Sequence, residues 1–216
     1  MFELKFFDRT KKPKILCLGA HSDDIEIGCG GTILRFIEEV PKAQFRWIVF
    51  SGNKIRNKEA LHSASIFLKK IQTKQIIVHN FRESYFPFIG NEIKDCFEEI
   101  KKDYNPDIIF SHHLKDAHQD HELISKLTRN TFRNHFILEY EIPKYDGDLG
   151  FPNLFVYLDK SIVQRKIGYL CEVFQTQKKK SWFSEDTFKS LMRIRGFESN
   201  SLTTYSEAFY CRKIVF

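Results

Sequence analysis

The chain has 216 residues, of which 42% are hydrophobic and 29% charged, and its formal net charge is +6. That length suits one domain, residues 1–216, with a sizeable core, and the composition is that of an ordinary soluble globular protein. No apolar run approaches the ~20 residues that span a bilayer, so a membrane span is excluded. Residues 14–19 (KILCLG) read as a buried strand, and residues 30–40 as a helix that Pro41 ends. A second strand is expected at 45–50 and a second helix at 57–70, followed by a third strand at 75–79. Ile93, Phe97 and Ile100 recur at helical spacing within a third helix at 92–103. A fourth strand, 107–111, follows Asn105-Pro106, and a helix runs from 120 to 132. Strands are then expected at 136–142 and 154–158, separated by a Gly/Pro/Asp-rich stretch, with helices at 161–175 and 185–195 and a last strand within 203–216. Short β-branched runs alternating with longer helical patterns imply an α/β fold with a parallel sheet covered by helices on both faces.

The N-terminus has no signal-peptide pattern, and the five cysteines, Cys17, Cys29, Cys96, Cys171 and Cys211, form no C-x-x-C pair. Reduced thiols and a cytoplasmic location are the expectation. Cys29 alone lies near a candidate site. The excess of basic residues is dispersed, apart from Lys69-Lys70 and Lys178-Lys179-Lys180. A solvated face accounts for it, with attraction to an anionic substrate or a membrane surface as the sharper reading. No zinc-finger or RNA-recognition spacing is present, so no nucleic-acid partner is expected.

Chemistry concentrates in two segments, Ala20-His21-Ser22-Asp23-Asp24 and His118-Gln119-Asp120-His121. Each follows a predicted strand. Open parallel sheets bind ligands beyond the carboxyl ends of their strands, so both segments belong on one rim. A catalytic zinc takes three protein ligands from His, Asp, Glu or Cys and keeps a position for water. His21 and Asp24, three apart in a tight turn, can share one ion, and either His118 or His121 can complete the set. Asp23 is then beside the metal and able to take a proton. The remaining histidine can serve a developing oxyanion or a leaving group, and Asp120 can orient a histidine. Each segment alone has a plain explanation: paired aspartates cap helices, and a His-x-x-His pair can lie on a solvated face. Two such segments at equivalent strand ends point to a site.

The first segment continues as A-H-S-D-D-I-E-I-G-C-G-G-T. It resembles the opening motif of the PIG-L/LmbE family of zinc-dependent N-deacetylases, usually A-H-P-D-D-E-x-x-G-x-G-G-T. The His118–His121 segment is similar to that family's H-x-D-H. Further likenesses are Arg56-Asn57-Lys58-Glu59-Ala60 to an R-x-x-E segment, Pro106-Asp107-Ile108-Ile109 to the strand before the second motif, and Tyr205-Ser206-Glu207-Ala208-Phe209 to Y-x-E-A-F. The resemblance covers about residues 14–210. It implies a Rossmann-like three-layer sandwich with a mostly parallel sheet. It also implies hydrolysis of an N-acetyl or other N-acyl group on a small amino-sugar conjugate, by water activated on Zn2+ or another divalent transition metal. By motif position, His21, Asp24 and His121 bind the metal and Asp23 is the general base. His118 stabilises the oxyanion or acts as acid, supported by Asp120, and Arg56 contacts substrate. A homo-oligomer is compatible with the sequence.

Three departures stand out. Ser22 replaces the usual proline, Phe50-Ser51-Gly52-Asn53 replaces a Thr-x-Gly segment, and Phe81–Phe88 (FRESYFPF) has no counterpart. The last reads either as core or as a substrate-facing loop carrying Arg82 and Tyr85. His62 and His135 are expected to be structural or exposed. His79 ends a strand and can face the rim. Of His112 and His113, one can line the pocket, and neither matches a ligand position. Two other classes compete: a nucleotide-binding Rossmann-like protein, whose G-x-G-x-x-G lacks its third glycine at Gly28-Cys29-Gly30-Gly31-Thr32-Ile33, and a non-catalytic zinc-binding scaffold.

Overall fold

Side chains along β1 (Lys14–Gly19) alternate between two cores. Ile15 and Cys17 pack on one face of the sheet, and Leu16 and Leu18 on the other. The same period of two divides β2 (Gln44–Ser51), where Phe45, Trp47 and Val49 oppose Ile48 and Phe50. A computed structural model describes residues 10–215 of the chain. The remaining strands are β3 (Lys74–Phe81), β4 (Ile108–His112), β5 (Phe136–Tyr140), β6 (Leu154–Leu158) and β7 (Tyr205–Cys211). They form one seven-stranded sheet in the order β3-β2-β1-β4-β5-β7-β6. The first five are parallel, and β7 runs antiparallel to both β5 and β6.

Helices α1 (Asp24–Glu39), α2 (Lys54–Phe67), α5 (Lys160–Val173) and α6 (Glu185–Glu198) cover the face holding Ile15 and Trp47. The opposite face is covered by α3 (Gly90–Asp103), through Ile93, Phe97 and Ile100, and by α4 (Gln119–Thr131), through Ile124. The result is the three-layer α/β sandwich expected from the alternating pattern. Strand order reverses between β1 and β4, which opens a crevice at their carboxyl ends.

Two element boundaries differ from the sequence reading in a way that matters. Helix α1 starts at Asp24 rather than at residue 30, so the glycine-rich stretch lies inside the helix. Helix propensity argues against that assignment, but close packing overrides it. A Cβ on Gly28 would lie 2.2 Å from the Tyr140 ring, and one on Gly31 would lie 2.9 Å from Glu207 Oε1. These glycines admit neighbouring side chains and do not form a loop that cradles phosphates. Helix α2 starts at Lys54, because the Asn53 side chain accepts the Ile55 and Arg56 N–H groups as a cap. The Phe81–Phe88 segment divides between the two expected roles. Phe86 is buried within a 3-10 turn, whereas Tyr85 and Phe88 are exposed.

Candidate metal centre

β1 ends at Gly19 and α1 begins at Asp24, so His21 lies in a four-residue turn between them, three positions before Asp24. The Asp24 carboxylate folds back onto the His21 backbone N–H at 2.6 Å, which fixes both side chains on the rim. From the other side of the crevice, the loop after β4 delivers His118, and the first turn of α4 delivers His121. His21 Nδ1 lies 3.0 Å from His121 Nε2 and 3.5 Å from Asp24 Oδ2, and His121 Nε2 lies 3.5 Å from Asp24 Oδ1. All three residues are buried. Ligands around a tetrahedral zinc at ~2.0–2.1 Å are spaced by roughly 3.3 Å. Among the described residues two groups lie close enough to share an ion, His21 with His118 and His121, and Asp24 with His112 and His121, so the expected His21, Asp24 and His121 set draws on both. His118 stacks on His121 with ring centroids 4.5 Å apart, and one of its nitrogens lies within 4.8 Å of nitrogens of His21 and His121.

The groups around these donors hold them in place. His121 Nδ1 meets Asp116 Oδ2 at 3.0 Å, and Asp116 in turn takes the Lys144 ammonium at 3.0 Å. Second partners of this kind fix a histidine's tautomer and leave the other nitrogen to a metal. His118 Nδ1 accepts the Asp120 N–H at 3.2 Å as it caps α4, so its proton sits on Nε2, available to a ligand. Asp120 contacts His21 Nε2 at 3.1 Å and accepts the Ser84 and Phe86 backbone N–H groups. The aromatic segment after β3 is thereby tied to the start of α4.

Burial lowers the His21 imidazole, but Asp24 and Asp120 outweigh it and lift the ring to about 10. Burial drives His121 down to about 3, with His112 adding to the effect. Burial also raises Asp24, yet His121, His112 and His21 outweigh it and hold the carboxylate well below its usual range. Asp23 goes the other way: desolvation raises it, against Arg56.

Arg56, expected at the substrate, is turned inward. Its Nη2 donates to Asp23 Oδ1 at 3.0 Å, its Nη1 to Glu83 Oε2 at 2.8 Å and its Nε to Ser22 Oγ at 2.9 Å. The serine that replaces proline is thus engaged in the site.

Sequence reasoning gave no specific role to four of these groups, although it placed one of His112 and His113 at the pocket and noted Ser22 as a departure. His112 is wholly buried at the end of β4, with Nε2 accepting the Ala20 N–H at 3.0 Å and lying 3.2 Å from Asp24 Oδ2. It makes a second cluster of potential ligands with Asp24 and His121, although its Nε2 lone pair is already engaged by Ala20. Asp116, Glu83 and Ser22 were the others. For Asp116 and Glu83 the sequence signal was only their position after strands. Other residues lie elsewhere: Cys29 is buried along α1, bonding the Ile25 carbonyl, and His79 stacks between Phe50 and Phe81.

A parallel α/β sheet with a buried His/Asp cluster at its switch point defines a hydrolase-like scaffold with a candidate divalent-metal centre. The chain belongs to the PIG-L family, described as GlcNAc-PI de-N-acetylase, whose model matches residues 16–132. Membership supports hydrolytic N-deacetylation. The chain is 30% identical over 146 residues to the uncharacterized deacetylase YaiS of Escherichia coli (strain K12), covering 62% of this chain and 76% of that protein. Its fold is shared by the conserved protein TT1542 from Thermus thermophilus, with a TM-score of 0.75, 16% identity and coverage of 94% and 96% of the two chains. It is also shared by the N,N'-diacetylchitobiose deacetylase from Pyrococcus horikoshii, with a TM-score of 0.65, 18% identity and coverage of 94% and 85%. Among the described residues, no helix is long and apolar enough to cross a membrane.

Proposed function

We propose that this chain is a zinc-dependent hydrolase that removes an N-acetyl group from an amino-sugar conjugate. The convergence of His21, Asp24 and His121 within 3.5 Å of one another carries this reading. The family's description and the diacetylchitobiose deacetylase among its structural neighbours favour an amino-sugar substrate. His21, Asp24 and His121 would hold the ion. Zinc bound there supplies a Lewis acid and lowers the pKa of a coordinated water towards ~7.

Asp23 is the general base. Arg56 holds its Oδ1, which leaves Oδ2 to take a proton from the attacking water. As the water oxygen bonds to the amide carbon, His118 donates its Nε2 proton in a hydrogen bond to the carbonyl oxygen that gains charge. The C–N bond then breaks, and the proton held by Asp23 passes to the departing nitrogen. Acetate and a free amine result. Asp116 and Lys144 keep His121 aligned throughout, and Asp120 does the same for His21.

The test is a panel of N-acetylated glucosamine conjugates assayed for free amine with zinc-loaded protein. Asp23→Asn should abolish turnover while zinc content stays at that of the parent. Full activity in that variant would refute the base assignment, and a parent protein that takes up no zinc would refute the metal reading.

A further inference from the structure

Outside the catalytic crevice, a concentration of basic side chains lies along the flank of α4. A cavity of about 430 Å3 opens there between α4, β5 and the end of β7. Lys126 and Arg129 from α4, Arg133 just beyond it, and Arg212 and Lys213 just beyond β7 line this groove around one carboxylate, Glu139. Leu114, Phe132 and Ile137 supply an apolar floor.

Charge pairing leaves an excess. Glu122 neutralises Lys126 at 2.6 Å. Glu139 is buried, and it meets Arg212 Nε at 3.1 Å and Arg129 Nε at 3.8 Å. Among the described residues, Arg133 and Lys213 have no carboxylate within ion-pair distance. Backbone contacts hold both at the rim: Arg133 Nε donates to the Asn130 carbonyl and Lys213 Nζ to the Arg133 carbonyl, each at 3.2 Å. Four cations therefore share one acid in a concave site. A structural need to neutralise Glu139 accounts for one or two of them.

We propose that this groove binds a phosphate-bearing anion. Guanidinium groups pair with phosphate oxygens bidentately, and several of them around one point favour a multiply charged group over a single carboxylate. The volume is that of a small-molecule site, and the apolar floor suits an organic body attached to the phosphate. A soluble phosphate ester and a phospholipid headgroup present the same chemistry. The proposal rests on no part of the catalytic reading.

The test uses the full chain and two probes: phenyl phosphate by calorimetric titration, and vesicles of phosphatidylcholine with and without phosphatidic acid by co-sedimentation. Binding of phenyl phosphate identifies a soluble ester site; binding only of the phosphatidic-acid vesicles identifies a headgroup site. In either case Arg133→Glu/Lys213→Glu should weaken binding at least about tenfold, and the milder Arg133→Gln/Lys213→Gln should weaken it in the same direction. Lys69→Glu/Lys70→Glu, an equal charge change on exposed residues in the turn just past α2, should leave it unchanged. Circular dichroism confirms that each variant is folded. Failure of both probes to bind, or equal affinity in the groove variants and the parent, overturns the proposal.

Discussion

Ser22 gives Arg56 a partner that proline cannot offer. Its hydroxyl accepts the guanidinium Nε at 2.9 Å, while the Nη2 of the same group grips Asp23 at 3.0 Å. The sequence showed only a missing proline ring; the hydrogen bond depends on α2 bringing Arg56 to a residue 34 positions away in the chain. One such bond is worth about 0.5–1.5 kcal/mol, or roughly two- to tenfold in rate. Ser22→Ala should therefore lower kcat within that range and leave KM close to that of the parent. A raised KM with an unchanged kcat would show instead that Arg56 acts on the substrate. Asp116 supports the other side of the centre through His121 Nδ1. Its replacement by alanine should weaken zinc binding by about 10–100-fold, measured by competition with a chelator. Unchanged affinity would remove Asp116 from the support of the centre.

Helix α1 illustrates where reading by element worked and where it failed. Its apolar positions and its end near Pro41 were legible, and so were both site segments. Its start was not, because three glycines within four residues argue against a helix. What holds them in the helix is non-local: the Tyr140 ring from β5 and the Glu207 carboxylate from β7 occupy the space that a Cβ would need. Gly28→Ala should destabilise the protein by about 1–3 kcal/mol through overpacking against Tyr140. Gly168 in α5 is a control, since nothing lies within 4 Å of a Cβ placed there. Gly168→Ala should be stabilising by about 0.5–1 kcal/mol. Thermal unfolding of the two variants checks both signs, and equal effects would contradict the packing explanation. The sequence left His112 and His113 as alternatives at the pocket for a related reason. A histidine one residue past an expected strand end has no local pattern to mark it; its contact with Asp24 arises only because β4 lies beside β1.

At the scale of the whole molecule, the alternation of strands and helices made the parallel part of the sheet legible. The antiparallel β7, inserted between β5 and β6, was not. That arrangement depends on pairing segments far apart in the chain, such as Tyr140 with Phe209. The closing strand nonetheless reaches the site through a buried ion pair. Glu207 accepts the Gly31 and Thr32 N–H groups of α1 at 2.8 and 2.6 Å, and Lys166 of α5 donates to Glu207 and to the Ile27 carbonyl at 2.6 Å. This cluster joins α1, α5 and β7 one to two turns from Asp24. Removing one partner of a buried pair strands the other charge at a cost of about 3–5 kcal/mol. Lys166→Met should therefore lower the denaturant midpoint sharply. Adding Glu207→Gln should recover part of the loss, because a neutral amide leaves no unpaired buried charge and its oxygen still accepts one backbone N–H. If the double variant instead loses the sum of the two single losses, the residues are energetically independent, and the ion pair does not anchor the helix that presents Asp24.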